Sequence, residues 1–216
     1  MKLDWSKIDT VLLDMDGTLL DLHYDNYFWR QHLPSVIATD QGISATQALN
    51  KLEPLFAKHA GTLNWYCVNF WSEQLGVDIM KHKREVANKI AYRPNAQEFL
   101  SFCRNKIADV RLVTNAHRKV LNLKIEHTQI DQFFDQTICS HELGEPKESV
   151  SFWQNLNHQK TFEPTRTLFI DDNLAMLESA KNYGVQYLFG ITKPDSQNPA
   201  KRLQDFQTLD DLSMLI

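Results

Sequence analysis

An unbroken apolar run that ends in two aspartates and a glycine constrains this fold more than any other feature of the sequence. It lies within "TVLLDMDGTLLDL", residues 10–22. Because an Asp-Gly pair between two apolar runs is a strong hairpin signal, a hairpin turn is one interpretation of this segment. Against it, Val11, Leu12 and Leu13 do not alternate with polar residues. Such a strand is typical of a sheet that is covered on both faces, and these sheets are usually parallel.

The second half of the chain has the alternation of strands and helices that a parallel sheet needs. Apolar segments alternate there with amphipathic or capped segments, and Gly184 marks the end of the last predicted helix. This alternation predicts an α/β fold with a doubly wound parallel sheet. The predicted strands after the first are "VRLVTN" (110–115), "TICS" (137–140), "TLFID" (167–171) and "VQYLF" (185–189).

Residues 21–91, by contrast, contain no convincing strand and are predicted to be helical. Ser44 and Gln47 form a capping-box pattern, and Pro54 indicates a break or a new helix start. The segment "LNWYCVNFWSEQLG" has apolar residues at helical spacing and predicts one helix. We therefore predict a catalytic core formed by residues 1–20 and 92–216, with an inserted all-helical domain at 21–91.

Composition excludes several other classes of protein. The 216 residues carry a net charge of −4 without a basic block, which argues against a nucleic acid polymer as partner but leaves small anions possible. No apolar run approaches the roughly 20 residues that span a bilayer, so we expect no membrane association. The N-terminus lacks a signal-peptide core, and the three scattered cysteines indicate free, mostly buried thiols. These features predict a cytoplasmic protein.

Polar side chains occur where the predicted strands end. In open parallel sheets, ligands bind beyond the carboxyl ends of the strands, so we predict one site that combines these side chains. They are Asp14 and Asp16 after the first strand, Thr114 and Asn115 after the second, Lys147 after the third, and Asp171 and Asp172 after the fourth.

Four acids gathered at one edge of a sheet would repel one another unless a cation joined them. An all-oxygen carboxylate set suits Mg²⁺, which keeps several waters and also bridges phosphates. A lysine and a hydroxyl nearby are then partners for a phosphoryl group, and a carboxylate can act as nucleophile through an aspartyl-phosphate. The residues thus predict Mg²⁺-dependent phosphoryl transfer.

Four segments, "DMDGTLLD", "LVTNA", "EPKES" and "LFIDDN", resemble in this order the motifs of the haloacid-dehalogenase (HAD) superfamily of phosphohydrolases. The resemblance implies a Rossmannoid core, and the helical insert resembles the superfamily's type-1 cap. Within the superfamily, "LLDLHYDNYFW", "TLNWYC", "WSEQLG" and "KPDS" are similar to the bacterial GMP/IMP nucleotidases. This similarity implies a 5′-nucleotidase that hydrolyses purine nucleoside monophosphates.

The resemblance also implies a role for each residue of the predicted site. Asp14 is the expected nucleophile, and Asp16 the acid that protonates the leaving oxygen and then the base that activates water. Thr114, with the Asn115 backbone, is expected to bind the phosphoryl oxygens, and Lys147 to neutralise charge on nucleophile and phosphate. The expected Mg²⁺ ligands are Asp14, the backbone carbonyl of Asp16, Asp172, and Asp171 directly or through water.

Other functions stay open at this point. A phosphomutase, or a phosphatase for sugar phosphates and other small metabolites, would use the same four motifs. Dehalogenation is disfavoured, because that branch does not use the second aspartate in this way. A response-regulator receiver also combines acids, a threonine and a lysine, but there the lysine comes last, whereas here Asp171 and Asp172 follow Lys147. A degenerate phosphate-binding domain is the remaining non-enzyme alternative.

Aromatic residues are concentrated in the helical segment, and helix-spaced aromatics are more often core residues than a ligand platform. We expect most of them to form its core and a minority to face a purine. The eight histidines show no metal-ligand spacing and receive no role. We expect a monomer or a weak homodimer. The aromatic set is Tyr24, Tyr27, Phe28, Trp29, Trp65, Tyr66, Phe70 and Trp71.

Overall fold

A six-stranded parallel sheet lies at the centre of the computed structural model, which describes residues 3–203 and 205–216. Its strands are β1 (Thr10–Leu13), β2 (Asp109–Thr114), β3 (Gln136–Cys139), β4 (Thr167–Asp171), β5 (Tyr187–Ile191) and β6 (Gln207–Leu209). Their spatial order is β3-β2-β1-β4-β5-β6, and every neighbouring pair is parallel. The chain therefore winds outward from β1 on both sides, which confirms the predicted doubly wound sheet.

Helices fill the connections between these strands. The first connection contains α1 (His23–Tyr27), a π-helical turn (Phe28–His32), α2 (Leu33–Gln41), α3 (Ala45–His59), α4 (Leu63–Tyr66), α5 (Val68–Leu75), α6 (Ile79–Glu85) and α7 (Ala96–Lys106). The later connections contain α8 (Arg118–Thr128), α9 (Ser140–Leu143), α10 (Val150–Gln159) and α11 (Leu174–Tyr183).

The unbroken apolar run of β1 is explained by the two faces of the sheet. Val11 and Leu13 belong to a buried cluster that includes residues of α7 and α8. Leu12 points to the opposite side, into a second buried cluster that includes residues of α10 and α11. Since consecutive strand residues face opposite sides, a strand covered on both faces has no position for a polar residue.

The hairpin interpretation of the opening segment is wrong. β1 pairs in parallel with β2 on one side and β4 on the other, so it has no antiparallel partner. After the strand, the backbone N–H of Gly17 donates to the carbonyl of Leu20 at 2.8 Å, and Leu20 then bridges to Tyr92. The glycine thus closes a tight turn that leads the chain out of the core.

Four local expectations differ from the structure. β5 begins at Tyr187 instead of residue 185, because the N–H of Gln186 donates to Pro164 outside the sheet. β6 is an additional short strand. The helix α3 continues through Pro54, which lies on its exposed side where water can satisfy the freed carbonyl. The predicted helix over "LNWYCVNFWSEQLG" is divided by Cys67, whose extended backbone separates α4 from α5.

The helices from α1 to α6 form most of a further buried cluster, which includes Phe28, Leu52 and Trp71 and is joined by Val120 and Leu123 of α8. The chain leaves the sheet and returns to it at one place, where the N–H of Asp21 donates to the carbonyl of Ala91 at 2.9 Å. These helices match the predicted helical segment, defined here as residues 21–91. Its division from the core as a separate domain stays a prediction.

Two expectations from composition can be compared directly with the structure. The three cysteines are free thiols, with Cys103 and Cys139 buried and Cys67 half-buried. None of the helices in the described residues has the length and apolar character of a membrane span.

Candidate active site

Three carboxylates meet at the carboxyl edge of the sheet, where β1 and β4 lie side by side. Asp14 follows β1 directly, Asp171 is the last residue of β4, and Asp172 comes next. One oxygen from each of these three buried side chains lies within 4.8 Å of the other two. The donor set is entirely oxygen and carries up to three negative charges, which fits a hard divalent cation such as Mg²⁺.

Lys147 supplies a buried positive charge to the same place. Its ammonium Nζ lies 2.5 Å from Asp14 Oδ1 and 2.7 Å from Asp171 Oδ2, and it also donates to the carbonyl of Val113 at 3.1 Å. These three partners come from the ends of β1, β4 and β2, so the lysine joins three strands at one point.

Burial and neighbouring charges have opposite effects on the pKa values of the groups in this cluster. Removal from water raises the pKa of Asp14, Asp171 and Asp172 above the ordinary aspartate value, although the nearby lysines lower it in part. For Lys147, burial lowers the pKa, but the attraction of Asp14 and Asp171 outweighs it and raises the pKa above its usual value. The acids therefore need cations beside them to stay ionised, and Lys147 is one of these cations.

Gly17 allows the turn after β1 to pass close to Asp172. Its φ of +89° is in the left-handed region that favours glycine, and a Cβ at this position would lie 2.8 Å from Asp172 Cγ. It would also lie 2.9 Å from Pro194 Cβ. Gly17 is thus required by the packing of two site loops and not by a hairpin.

Thr114 and Asn115 follow β2 at the same edge. The hydroxyl Oγ1 of Thr114 accepts from the backbone N–H of Ala116 at 3.0 Å. The side-chain amide of Asn115 accepts from the backbone N–H of Lys147 at 2.9 Å and donates to Glu148 Oε2 at 2.9 Å. Asn115 therefore holds the loop that carries Lys147, a contact that the sequence did not predict.

Asp16 lies near this cluster, but its carboxylate contacts a lysine of α8. Asp16 Oδ1 is 2.5 Å from Nζ of Lys124 on α8, and the same ammonium is 2.5 Å from Asp25 Oδ2 on α1. Asp25 Oδ1 in turn accepts from Nζ of Lys83 on α6 at 2.8 Å. Two aspartates and two lysines thus alternate in one chain of ion pairs, called here the Asp16–Lys83 network.

The network is buried at its centre, where Lys124 and Lys83 have side chains only 1% and 2% exposed. Burial raises the pKa of Asp16 to about 6. Burial also raises the pKa of Asp25, but Lys124 and Lys83 outweigh this effect and hold that pKa well below its usual range. The Lys83 ammonium also lies 4.4 Å from the centroid of the Phe28 ring, a cation–π contact.

A cavity of about 250 Å³ opens between this edge of the sheet and the helical segment. Asp14, Asp16, Thr114, Asn115 and Asp172 line it from the core. From the helical segment it is lined by Leu22, Asp25, Asn26, Trp29, Trp65, Tyr66, Val68 and Lys83. The wall from the core therefore carries the site's carboxylates and polar groups, and the opposite wall combines three aromatic side chains with aliphatic and charged ones.

The aromatic residues divide between core and cavity. Tyr24, Phe28 and Trp71 are at most 1% exposed and belong to the core of the helical segment. Trp29, Trp65 and Tyr66 line the cavity, and the Tyr66 hydroxyl donates to Glu148 at 2.5 Å. The expected minority of cavity-facing aromatics is therefore present.

Sequence reasoning missed Lys124, Asp25 and Lys83. A signal for Lys124 exists: it shares the buried face of α8 with Val120, Leu121 and Leu123, where a lysine is unusual unless paired. It also missed Lys201, whose Nζ lies 2.8 Å from Asp172 Oδ2. Lys201 follows a loop with no local pattern that connects it to the site.

Comparison with known families identifies the class of enzyme. A family model described as "Haloacid dehalogenase-like hydrolase" matches residues 11–189, which include every predicted site residue. The chain therefore belongs to the haloacid dehalogenase-like hydrolases.

Relatives narrow the class to the phosphatases. The chain is 39% identical over 212 residues to the GMP/IMP nucleotidase YrfG of Escherichia coli (strain K12), covering 98% of this chain and 96% of that protein. It is 19% identical over 207 residues to a phosphorylated carbohydrates phosphatase of Thermotoga maritima, covering 91% of this chain and 90% of that protein. The protein is a phosphoric monoester hydrolase, as the sequence predicted.

Solved structures agree on the fold. The crystal structure of a HAD phosphatase from Thermococcus onnurineus superposes with a TM-score of 0.78 at 19% identity, covering 95% of each chain. CbbY from Rhodobacter sphaeroides, solved in complex with phosphate, superposes with a TM-score of 0.68 at 14% identity, again over 95% of each chain.

Proposed function

We propose that this enzyme is a Mg²⁺-dependent 5′-nucleotidase that hydrolyses purine nucleoside monophosphates through an aspartyl-phosphate. The observation that carries the proposal is the position of the Lys147 ammonium between Asp14 and Asp171, at the strand end where Asp14 also lines the cavity. The site therefore contains a carboxylate, a fixed positive charge and a set of oxygen atoms that can bind a cation. Phosphoryl transfer needs all three.

Asp14 is the proposed nucleophile. Its carboxylate oxygen attacks phosphorus and the ester bond to the leaving oxygen breaks, which gives an aspartyl-phosphate and a nucleoside. A buried carboxylate close to a phosphate dianion requires neutralisation, and the 2.5 Å contact with Lys147 supplies part of it. The Thr114 hydroxyl would donate a hydrogen bond to a phosphoryl oxygen, which holds the group in line for attack.

Asp16 is the proposed acid and base. In its protonated form it gives a proton to the leaving 5′-oxygen, and as a carboxylate it then removes a proton from the water that attacks the aspartyl-phosphate. A pKa of about 6 suits this task, since both protonation states are then populated near neutral pH. The contact with Lys124 orients the carboxylate toward the cavity wall.

The acidic cluster fits Mg²⁺ by its donor atoms and their spacing. Asp14, Asp171 and Asp172, together with the backbone carbonyl of Asp16, would hold the ion. When bound, Mg²⁺ supplies positive charge to the phosphate oxygens and offsets the repulsion between phosphate and the acids.

The helical segment is proposed to be the cap that selects the substrate. Its aromatic side chains Trp29, Trp65 and Tyr66 give the cavity an apolar wall on which a purine ring could pack. The similarity to a protein named GMP/IMP nucleotidase supports a 6-oxopurine nucleotide as substrate. The phosphate would point toward Lys147 and the base toward these three aromatic side chains.

A phosphate-release assay tests the proposal. Purified protein with Mg²⁺ is expected to release phosphate from GMP and IMP faster than from AMP, ribose 5-phosphate or glucose 6-phosphate, and EDTA is expected to stop it. Asp14→Asn should remove the activity, whereas Asp40→Asn, at an exposed position in α2, should leave it unchanged.

The covalent step needs a separate measurement. After acid quench of a reaction with radioactive phosphate in the substrate, label should remain on the wild-type protein and be released by hydroxylamine, as for an acyl phosphate. Full turnover by Asp14→Asn would exclude the aspartyl-phosphate. A clear preference for sugar phosphates would overturn the nucleotide assignment and leave the phosphatase assignment intact.

A further inference from the structure

Two histidines and a glutamate meet in the helical segment, away from the acidic cluster. His32 ends the π-helical turn after α1, and His82 and Glu85 lie three residues apart on one face of α6. One nitrogen from each histidine and one oxygen of Glu85 lie within 4.8 Å of one another. We infer that His32, His82 and Glu85 form a binding site for Zn²⁺ or a similar divalent transition-metal ion, distinct from the proposed Mg²⁺ site.

The donor atoms suit such an ion. Imidazole nitrogen is a ligand that Zn²⁺ prefers, and two histidines with one glutamate are a known zinc ligand set that leaves a position for water. Mg²⁺ favours sites made of oxygen only. The histidine cluster, with its nitrogen donors, would therefore prefer Zn²⁺. The acidic cluster, which offers carboxylates alone, would prefer Mg²⁺.

The spacing of the donors also fits. Glu85 Oε2 lies 3.1 Å from His32 Nε2 and 2.8 Å from His82 Nδ1. Ligand atoms about 2.0–2.1 Å from a tetrahedral Zn²⁺ are about 3.3 Å apart, so these two edges already have nearly the length that the site needs. The ion would bind above the plane of the two histidine nitrogens and the glutamate oxygen. It would replace the hydrogen atoms of the two hydrogen bonds between the carboxylate and the imidazoles.

Packing holds the two rings in place. The side chains of His32 and His82 are 20% and 17% exposed, which leaves them accessible to an ion but restricts their movement. The His32 ring stacks on Tyr27 at 6.4 Å between centroids and also packs against Phe28. A site whose ligands are already oriented loses little conformational entropy when the ion binds.

The location indicates what the ion would do. Glu85 lies on α6, which also carries Lys83 of the Asp16–Lys83 network, and His32 ends the π-helical turn that directly follows α1, the helix of Asp25. Within the described part of the chain, the cavity lining includes none of the three proposed ligands. The ion would thus stabilise the helical segment by joining the end of the π-helical turn to α6, without contact with the substrate.

Isothermal titration of the full chain with Zn²⁺, in excess Mg²⁺ to fill the acidic cluster, tests the inference. Wild type is expected to bind about one equivalent. His32→Gln, His82→Gln and Glu85→Gln should each weaken binding by more than about a hundredfold, since loss of a ligand costs more than loss of an outer-shell partner. His158→Gln, at an exposed position in α10, is the matched control and should bind as wild type does.

A measurement on wild type alone keeps the test valid if a variant misfolds. In ¹H–¹³C NMR spectra, saturation with Zn²⁺ is expected to move the ring signals of two of the eight histidines. Zn²⁺ should also raise the unfolding temperature of wild type, and less so that of His82→Gln. No binding in excess Mg²⁺, equal binding by wild type and His82→Gln, or unmoved ring signals would each overturn the inference.

Discussion

The ammonium of Lys124 lies 2.5 Å from Asp16 in the core and 2.5 Å from Asp25 in the helical segment, so one buried cation joins the proposed acid and base to the proposed cap. Burial lowers the pKa of this lysine, but Asp16 and Asp25 outweigh it and keep the lysine charged. The contact makes the position of the Asp16 carboxylate depend on how α1 and α8 pack together.

Replacement of this cation should affect both stability and activity. Lys124→Met leaves the Asp16 carboxylate without its lysine and leaves Asp25 with Lys83 as its remaining cation, so the free energy of unfolding should fall by about 3–5 kcal/mol. Because we propose Asp16 as the acid and base, kcat should fall about a hundredfold through its lost orientation. Urea unfolding and steady-state kinetics measure the two effects.

Lys119→Met is the matched control for this prediction, because Lys119 lies on the same helix but is exposed. It should unfold and turn over as wild type does. If Lys124→Met is destabilised but keeps its kcat, the lysine has only a structural role.

Asp25 gives a prediction for the pH dependence of stability. Its pKa in the folded state is lowered, because Lys124 and Lys83 outweigh the effect of burial. Its ionised form therefore adds stability above the pKa of about 3.9 that it has in the unfolded chain, and this stability is lost as the pH falls below that value.

Asp25→Asn, which cannot ionise, should be less stable than wild type by about 3 kcal/mol near neutral pH, because it leaves two buried lysines short of a partner. The difference should shrink below about pH 4. Unfolding of both proteins between about pH 3 and pH 7 measures it. A difference that stays constant over this range would show that ionisation of Asp25 adds nothing to stability.

The comparison of sequence and structure shows which contacts local patterns can predict. The convergence of Asp14, Thr114 and Asp171 was predictable, because parallel strands end at one edge and each of these residues ends or follows an apolar run. Lys147 lies farther from its strand, in the loop after α9. The strand β6 was not predictable from the sequence, since two of its three residues are exposed and give no apolar signal. In a short edge strand, pairing with the neighbouring strand determines the structure more than the residues' own preference.

The contacts of the Asp16–Lys83 network were likewise not predictable from local sequence patterns. Asp25 and Lys124 are 99 residues apart in the chain, and their contact depends on the packing of α1 against α8. Periodicity describes one element at a time and does not predict such a contact. The histidines were assigned no role for the same reason, because His32 approaches His82 and Glu85 only after the helices have packed.

Gly17 offers a test of the close approach at the turn after β1. In Gly17→Ala the new Cβ would adopt an unfavourable φ and lie within 3 Å of Asp172 and Pro194. We expect a loss of about 3 kcal/mol in stability and a rise in the Mg²⁺ concentration needed for half-maximal activity, because Asp172 must move. Gly42→Ala is the control, with φ of +63° and open space around its Cβ. It should cost about 1 kcal/mol and leave the Mg²⁺ dependence unchanged.

Lys201 should reduce the affinity of the acidic cluster for Mg²⁺. Its ammonium lies 2.8 Å from Asp172 Oδ2, so it competes with the ion for a carboxylate that we propose as a ligand. The lysine side chain is 40% exposed, and water screens the pair, which makes the effect small. In Lys201→Met the Mg²⁺ concentration at half-maximal activity should fall by a factor of about two to five.

Lys193→Met, at an exposed position of the preceding loop, is the control and should leave the Mg²⁺ concentration at half-maximal activity unchanged. A rise in the Lys201 variant would mean that the lysine helps to hold Asp172 in its binding position, which is the opposite of competition.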